Sequence, residues 1–202
     1  MNEHFGIIAL LDKDLTHRIR ELWKSVSEQG LGKDLFNSPV PPHITVYGFS
    51  TLLDSATLVE RLHDLTQAAK PIPLRFSMTG RFLAPPHPFI LVPSPVPELT
   101  RLRDRLYRTA LPYTAHPRPY FETQEWMPHC TLAVEYPQNR LEQLQALIDA
   151  QITDGHSLSG TITDIAIARY SQDGLYQLRY TLPLLGSRSS GSESVPPKAS
   201  AN

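Results

Sequence analysis

The sequence predicts an α+β fold that is made of two similar halves. Short apolar segments with the character of strands alternate with amphipathic segments at helical spacing, and the order strand, helix, strand, helix, strand occurs twice. The two copies keep their spacing, because Phe5 to His43 spans 38 positions and Phe89 to His129 spans 40. Strands of this length with helices between them suit helices packed on sheets, and the self-similarity indicates an internal duplication.

The first half is predicted to contain three strands and two helices. Its strands are apolar runs or alternate apolar and polar residues, and its helices carry an apolar stripe at intervals of three and four residues. The predicted strands are Phe5–Leu11, His43–Tyr47 and Ile72–Met78. The helical stripes consist of Leu15, Ile19, Leu22, Trp23 and Val26, and then of Leu58, Leu62, Leu65 and Ala69.

The second half repeats this pattern and adds one strand. Its predicted strands are Phe89–Val92, His129–Val134, a segment around Ile165 and Ile167, and a segment around Leu178, Tyr180 and Leu182. Its helical stripes consist of Leu99, Leu102, Leu106 and Ala110, and then of Leu141, Leu144, Leu147 and Ile148. A loop rich in proline and aromatic residues, residues 112–128, leads into the second of these strands.

The domain organisation follows from where the repeat begins and ends. We expect one duplicated domain over residues 1–185, with halves of about 1–84 and 85–185. The remaining segment, residues 186–202, consists mostly of serine, glycine and proline and has almost no apolar side chain to bury. Such a composition cannot offset the entropy of ordering a chain, so this segment is predicted to be a disordered tail.

The composition excludes several classes of protein. The 202-residue chain carries 19 Lys and Arg against 20 Asp and Glu, which excludes a strongly basic nucleic-acid clamp but allows a local basic cleft. One cysteine excludes an intramolecular disulfide framework and a Cys-based zinc site. No apolar run reaches the ~18 residues of a membrane span, and the N-terminus lacks the basic region of a signal peptide, so we expect a cytoplasmic protein.

One residue pattern occurs in both halves at the start of matching strands. Residues 42–46 read PHITV and residues 128–132 read PHCTL. Side chains alternate between the two faces of a strand, so in each copy the histidine and threonine share one face and the apolar residues share the other. A pseudo-twofold duplication would place the two His/Thr faces across a cleft. The predicted catalytic residues are His43, Thr45, His129 and Thr131.

Two facing histidines are a natural acid–base pair, because their ordinary pKa of ~6.5 allows one neutral and one protonated ring near neutral pH. Two threonine hydroxyls can donate hydrogen bonds to a developing oxyanion. A phosphodiester undergoing in-line displacement by water or a sugar hydroxyl fits this set, and it requires neither a metal nor a cofactor. Two other interpretations remain: ordinary strand residues with hydrogen-bonded side chains, or a zinc site with an unidentified third ligand.

The paired motifs and their flanks, PPHITVYGF and WMPHCTLAV, resemble the 2H phosphoesterase superfamily, and most closely its 2′-5′ RNA ligase and RNA cyclic phosphodiesterase branch. The resemblance covers about residues 3–185. It implies a duplicated bilobal fold in which two antiparallel-rich sheets flank a central cleft and the helices lie outside. It also implies hydrolysis of 2′,3′-cyclic phosphate ends, or the making and breaking of 2′-5′ linkages in RNA.

The resemblance implies roles for the two histidines, with His43 as the general acid and His129 as the general base that activates water. The near-symmetric motifs do not themselves distinguish these roles. One departure concerns the phosphate clamp: some ligase-like members carry an arginine shortly after the second motif, where this chain has Ala133, Val134 and Glu135. Cys130 alternates with the catalytic residues, so we expect it in the core.

Further substrate contacts are predicted from position and composition. Tyr47 lies two residues after Thr45 and would share the cleft face if the strand continues. The loop before the second motif combines aromatic residues with an arginine, which could stack a base and hold a phosphate, or could form a small satellite core. The predicted substrate-binding residues are Tyr47, Arg118, Tyr120 and Trp126.

These observations predict a monomeric phosphoesterase that opens an RNA or nucleotide 2′,3′-cyclic phosphate with water and leaves a 2′-phosphate. Its partners would be RNA ends or nucleotide cyclic phosphates as substrates, with no membrane. Three alternatives remain open: 2′-5′ RNA ligation or 2′-5′ phosphodiester cleavage, a cyclic phosphodiesterase for a small metabolite outside RNA, and a non-catalytic RNA-binding protein.

Overall fold

The computed structural model describes residues 4–83, 87–121, 125–153, 158–170, 176–186 and 198–199. The strands in chain order are β1 (His4–Leu11), β2 (His43–Leu52), β3 (Ile72–Arg81), β4 (Phe89–Pro93), β5 (Thr114–Pro117), β6 (Cys130–Ala133), β7 (Ser159–Tyr170), β8 (Tyr176–Pro183) and β9 (Lys198–Ala199). The α-helices are α1 (Lys13–Glu28), α2 (Ser55–Ala68), α3 (Pro97–Ala110) and α4 (Leu141–Thr153). Short 3-10 turns cover Leu111–Tyr113, Pro119–Phe121 and Gln138–Arg140.

Local sequence signals account for the beginnings of the first three helices. Asp12 caps α1, since its side chain accepts a hydrogen bond from the Leu15 N–H at 2.8 Å. Asp54 caps α2 in the same way through the Thr57 N–H at 3.0 Å. Helix α3 starts instead with Pro97, which has no N–H to leave unpaired in the first turn.

The strands pair antiparallel throughout the described residues and form two sheets that share one strand. The hydrogen-bonded order is β5-β2-β1-β7-β3-β4-β6. Strand β8 pairs with residues 164–170 of β7, beyond the part that pairs with β3, and β9 pairs with β8. Strand β3 joins the sheets, because residues 72–75 pair with β7 and residues 76–81 pair with β4. The predicted α+β class, with two antiparallel sheets and helices packed on them, is confirmed.

Each sheet is built from both halves of the sequence. Strand β7 comes from the second half but pairs with β1 of the first sheet, while β3 comes from the first half and pairs with β4 of the second sheet. The helices also pack across the division, α1 against α4 and α2 against α3. The two halves are therefore intertwined, and neither half forms a sheet of its own.

The structure differs from the predicted elements at two places near the motifs. Strand β2 continues to Leu52, five residues beyond its predicted end, and β5 lies inside the predicted loop of residues 112–128. Thr114–Pro117 has no alternating apolar pattern, and it becomes a strand because the far end of β2 offers it an unpaired edge. Of the predicted tail, Lys198 and Ala199 pair with β8, and most of the remainder lies outside the described residues.

The core lies mainly between the sheets and the helices, and a smaller cluster lies on the opposite face of the first sheet. The smaller cluster consists of Ile8, Leu10, Val40, Ala166 and Ala168. Cys130 belongs to the main core with no exposed surface, as predicted from strand alternation. Within the described part of the chain, no helix is long and apolar enough to cross a membrane.

Candidate active site

The two motifs occupy equivalent positions in the two sheets. Thr45 lies opposite Ile8 on β1, and Thr131 lies opposite Ile90 on β4, the corresponding strand of the second half. The four predicted catalytic side chains are only partly buried. The alternating residues Ile44, Val46, Cys130 and Leu132 are fully buried in the core. Strand alternation therefore separates the polar face from the core face as the sequence predicts.

The tertiary fold brings the starts of the two motif strands together. Strand β2 contacts β6, and the His43 backbone lies beside the Cys130 thiol, although 87 positions separate these residues in the sequence. The positive charge of protonated His129 also lowers the pKa of His43, which requires the two rings to be near each other. Burial raises the pKa of Cys130 to about 12, so this thiol stays protonated and does not act as a nucleophile.

Both histidines are held by the same backbone contact. His43 Nδ1 lies 2.8 Å from the Pro41 carbonyl oxygen, and His129 Nδ1 lies 2.8 Å from the Met127 carbonyl oxygen. A carbonyl oxygen only accepts hydrogen bonds, so Nδ1 carries the proton in both rings. Nε2 is therefore the nitrogen that is left to exchange a proton with a substrate in each motif.

The electrostatic environment of the site favours neutral rings. Burial lowers the pKa of both histidines, and the carbonyl contact at Nδ1 raises it by a smaller amount. The charge of His129 lowers the pKa of His43 further. A phosphate anion between the rings would act in the opposite direction, because a negative charge stabilises an imidazolium.

The two histidines have different neighbours. The Tyr170 hydroxyl lies 3.4 Å from His43 Nε2. His129 instead packs edge-on against the Phe82 ring, with centroids 4.9 Å apart and an interplanar angle of 74°. A hydroxyl can donate to a neutral ring nitrogen and accept from a protonated one, whereas a phenyl ring does neither.

Two tryptophans hold the two threonine positions reciprocally. Trp23, in the first half, donates its indole N–H to the carbonyl oxygen of Thr131 at 2.9 Å. Trp126, in the second half, donates to the carbonyl oxygen of Thr45 at 2.9 Å. Each half thus contacts the motif strand of the other through a neutral hydrogen bond from a rigid side chain.

The predicted cleft position of Tyr47 is wrong. Ile7 pairs with Tyr47 and Ile8 pairs with Thr45, so Val46 is an extra residue in β2 that shifts the alternation by one. Tyr47 consequently turns into the core, where it is 1% exposed and its hydroxyl lies 3.0 Å from Thr114 Oγ1. Such a β-bulge has no sequence signal here, because residues 43–47, HITVY, contain neither glycine nor proline.

The other predicted substrate-binding residues lie in the segment before β6. Arg118 and Tyr120 are exposed to solvent. Trp126 is partly buried against the core, and its N–H is engaged by Thr45. Substrate contact by these three residues stays a prediction. Sequence reasoning did not identify Phe82, Trp23 or Tyr170 at the site, because their link to the motifs is tertiary.

Within the described residues, no group of three or more His, Cys, Asp or Glu side chains could hold a metal ion. The site therefore consists of two imidazoles, two hydroxyls and their neighbouring aromatic side chains. Such a set can transfer protons in both directions and donate hydrogen bonds to anionic oxygens.

Comparison with known proteins agrees with this geometry. A sequence model of a family described as the 2′-5′ RNA ligase superfamily matches residues 12–174, which confirms the resemblance drawn from the motifs. TT0787 of Thermus thermophilus is similar in structure, with a TM-score of 0.60 and 16% identity over 92% of this chain and 100% of that one. E. coli LigT in complex with 3′-AMP has a TM-score of 0.59 and 17% identity over 91% and 99% of the two chains. No curated protein matches the sequence.

Proposed function

Because the chain belongs to the 2′-5′ RNA ligase superfamily, we propose that it is a 2H-type phosphoesterase that hydrolyses 2′,3′-cyclic phosphates of RNA or nucleotides to 2′-phosphates. The proposed substrates are RNA ends or nucleotide cyclic phosphates. The reaction would use no metal and no cofactor. The protein would act as a cytoplasmic monomer.

The matched pair of histidines is the observation that carries this proposal. In both motifs a backbone carbonyl holds Nδ1–H, which leaves Nε2 for proton transfer. In both motifs the threonine two positions later shares the polar face of the strand. Two proton-transfer groups and two hydroxyl donors are what an in-line displacement at phosphorus requires.

In the proposed reaction, Nε2 of neutral His129 takes a proton from water as the water oxygen attacks phosphorus. The bond from phosphorus to the ribose 3′-oxygen breaks on the opposite side, and Nε2–H of protonated His43 gives its proton to that oxygen. The product carries a 2′-phosphate and a free 3′-hydroxyl. His43 ends neutral and His129 ends protonated, and proton exchange with water restores the starting state.

The threonines would stabilise the charge that builds up on phosphorus oxygens. Hydroxyls of Thr45 and Thr131 would donate to the two non-bridging oxygens. The Trp126 and Trp23 contacts to their carbonyls would keep both hydroxyls in place before the substrate arrives. Such preorganised donors act more strongly than mobile water does.

The family match supports a second function equally. In 2′-5′ ligation or its reversal, a ribose 5′-hydroxyl replaces water as the attacking or leaving group, and the same four side chains would serve. Short 2′-5′-linked oligonucleotides therefore belong in the same assay as cyclic phosphates.

The test is turnover of the four nucleoside 2′,3′-cyclic monophosphates, a short RNA with a cyclic phosphate end, and 2′-5′-linked oligomers, each with and without EDTA. The parent would be compared with His43→Ala, His129→Ala and the control His17→Ala, whose histidine is exposed on α1. We expect EDTA-resistant formation of 2′-phosphate that both motif variants lose and the control keeps.

Three results would contradict parts of this proposal. Turnover of 2′-5′ oligomers without turnover of cyclic phosphates would favour the second function. Loss of activity in EDTA would overturn the metal-free reaction. Full activity in either motif variant would overturn the two-histidine mechanism itself.

A further inference from the structure

Arg103 is a buried arginine in the middle of helix α3, with 1% of its surface exposed. Its helix neighbours Leu102 and Leu106 belong to the main core. Burial of a guanidinium is costly unless its partners compensate for the lost water. The compensation is incomplete here: Nη1 lies 3.1 Å from Oδ1 of the partly exposed Asp104, and Nε has no hydrogen-bond partner. So costly a position indicates that the contacts of this side chain serve a further purpose.

The remaining contacts of Arg103 lead towards the site. Its Nη2 donates to the carbonyl oxygen of Phe121. Its Cζ lies 5.5 Å from the centroid of the Trp126 ring and 4.9 Å from that of the Tyr107 ring, which are cation–π distances. Phe121 and Trp126 belong to the described part of the segment between β5 and β6, which is residues 118–121 and 125–129. Arg103 thus contacts this part of the segment at two points.

The same segment lies directly on β2, the strand of the first motif. The Trp126 indole N–H donates to the Thr45 carbonyl, and the Arg118 N–H donates to the Gly48 carbonyl at 2.9 Å. A Cβ at Gly48 would lie 2.7 Å from Cε2 of Phe121, so the ring packs against bare backbone there. The segment therefore fixes β2 from Thr45 to Gly48.

The other tryptophan shows why an anchor is needed. Trp23 lies within helix α1, is 4% exposed, and is oriented by the helix itself. Trp126 lies in a stretch without regular secondary structure, where neighbouring backbone bonds do not fix the indole. A cation over its ring and a donor to the Phe121 carbonyl supply that restraint.

We propose that Arg103 is a positioning residue for Thr45, and that it acts by holding Trp126 and Phe121 on β2. This inference rests on the proposed phosphoesterase function, in which Thr45 donates to a phosphorus oxygen. Arg103 itself touches no reacting group. Its loss should lower kcat more than it changes KM, because it affects the placement of a transition-state donor.

The experiment compares Arg103→Met with the matched control Arg105→Met, which replaces an exposed arginine on the same helix. Methionine replaces the unbranched stem of the buried side chain and removes the charged guanidinium, so most of the core volume stays filled. For Arg103→Met we expect kcat on the best cyclic phosphate to fall roughly ten- to a hundredfold, with KM within about threefold of the parent. The control should match the parent.

A second readout does not depend on activity. The protein has two tryptophans, so its ¹H–¹⁵N spectrum contains two side-chain indole N–H signals, which Trp126→Phe would assign. We expect Arg103→Met to shift the Trp126 signal and speed its exchange with water, while the Trp23 signal stays in place. Trp126→Phe should reproduce the loss of kcat.

The outcomes separate this inference from the proposed function. A folded Arg103→Met protein with parental kcat and an unmoved Trp126 signal would overturn it, as would equal shifts in both indole signals. If the methionine variant does not fold, Arg103→Lys decides by the same two measurements, since lysine keeps the charge but loses the planar donors. A parent without cyclic-phosphate turnover would count against the proposed function alone, and the indole signals would still test the link from Arg103 to Trp126.

Discussion

The regions around His43 and His129 are alike in backbone and different in surroundings. Both rings donate Nδ1–H to the carbonyl two residues earlier at 2.8 Å, and the carbonyls of both motif threonines accept an indole N–H at 2.9 Å. Yet Nε2 of His43 faces the Tyr170 hydroxyl, while His129 packs against Phe82. The two copies of the motif keep the same backbone contacts, and residues outside the motif make their surroundings unequal.

This difference bears on which histidine gives a proton and which takes one. The Tyr170 hydroxyl can accept from a protonated His43 as well as donate to the neutral ring, so it supports either state. The Phe82 ring offers His129 no hydrogen bond at Nε2. Two identical motifs can therefore take different roles without any change in their own residues. Four measurements would test whether the two copies differ in this way.

The largest effect is expected from removal of either histidine. His43→Ala and His129→Ala should each lower kcat about 10²–10⁴-fold, because each removes one proton-transfer group. The kcat of the double variant should be only slightly lower than that of the less active single variant, since both groups act in the same step. Steady-state rates of hydrolysis would measure these losses. If the loss of kcat in the double variant equals the product of the two single losses, the two histidines act independently.

Removal of a threonine hydroxyl should have the next largest effect. Thr45→Val and Thr131→Val keep the branched shape and each should cost about 10² in kcat, the usual loss for one oxyanion donor. Thr100→Val, at an exposed position on α3, serves as the control. If one threonine proves dispensable, the two copies differ in the oxyanion contact as well as in the histidine environment.

Tyr170→Phe should affect one histidine and spare the other. The hydroxyl contacts Nε2 of His43, so its removal should move the pKa of His43 and leave that of His129, which packs against Phe82, unchanged. NMR titration of the two histidine ring signals would measure both. The value of kcat/KM should change by no more than several-fold, and one limb of its pH profile should be displaced. Equal movement of both titrations would contradict the assigned asymmetry.

The smallest effect concerns stability. Both histidines have a pKa below 6.5 in the folded protein, so the unfolded chain binds more protons between the folded value and 6.5. The contribution of the two neutral histidines to the free energy of unfolding is present above pH 6.5. It is lost as the pH falls through their pKa values in the folded protein. We expect their contribution to be less than about 1 kcal/mol, since both rings are partly exposed. Urea unfolding at pH 7.5 and 5.5 would measure this contribution. In the double variant His43→Asn with His129→Asn, the free energy of unfolding should depend less on pH.

Much of the fold could be predicted from the sequence. The stripe Leu15, Ile19, Leu22 marks α1, and Asp12 and Asp54 cap the helices that follow them, because these signals act within a few residues of chain. Strand β5 could not be predicted from the sequence, since Thr114–Pro117 pairs with β2 only after both segments have been brought together. The sharing of β3 between the two sheets has the same tertiary origin.

For the candidate site, the sequence predicted the four catalytic candidates and the face of each strand on which they lie. His43 and Thr45 follow from alternation, and the repeat at His129 gives the pair. Alternation failed at Tyr47, because a bulge at Val46 depends on the register with β1. Tertiary packing alone decided the contacts of Tyr170, Trp23 and the Arg103–Trp126 pair, since these side chains meet the motifs across long stretches of sequence that carry no local signal.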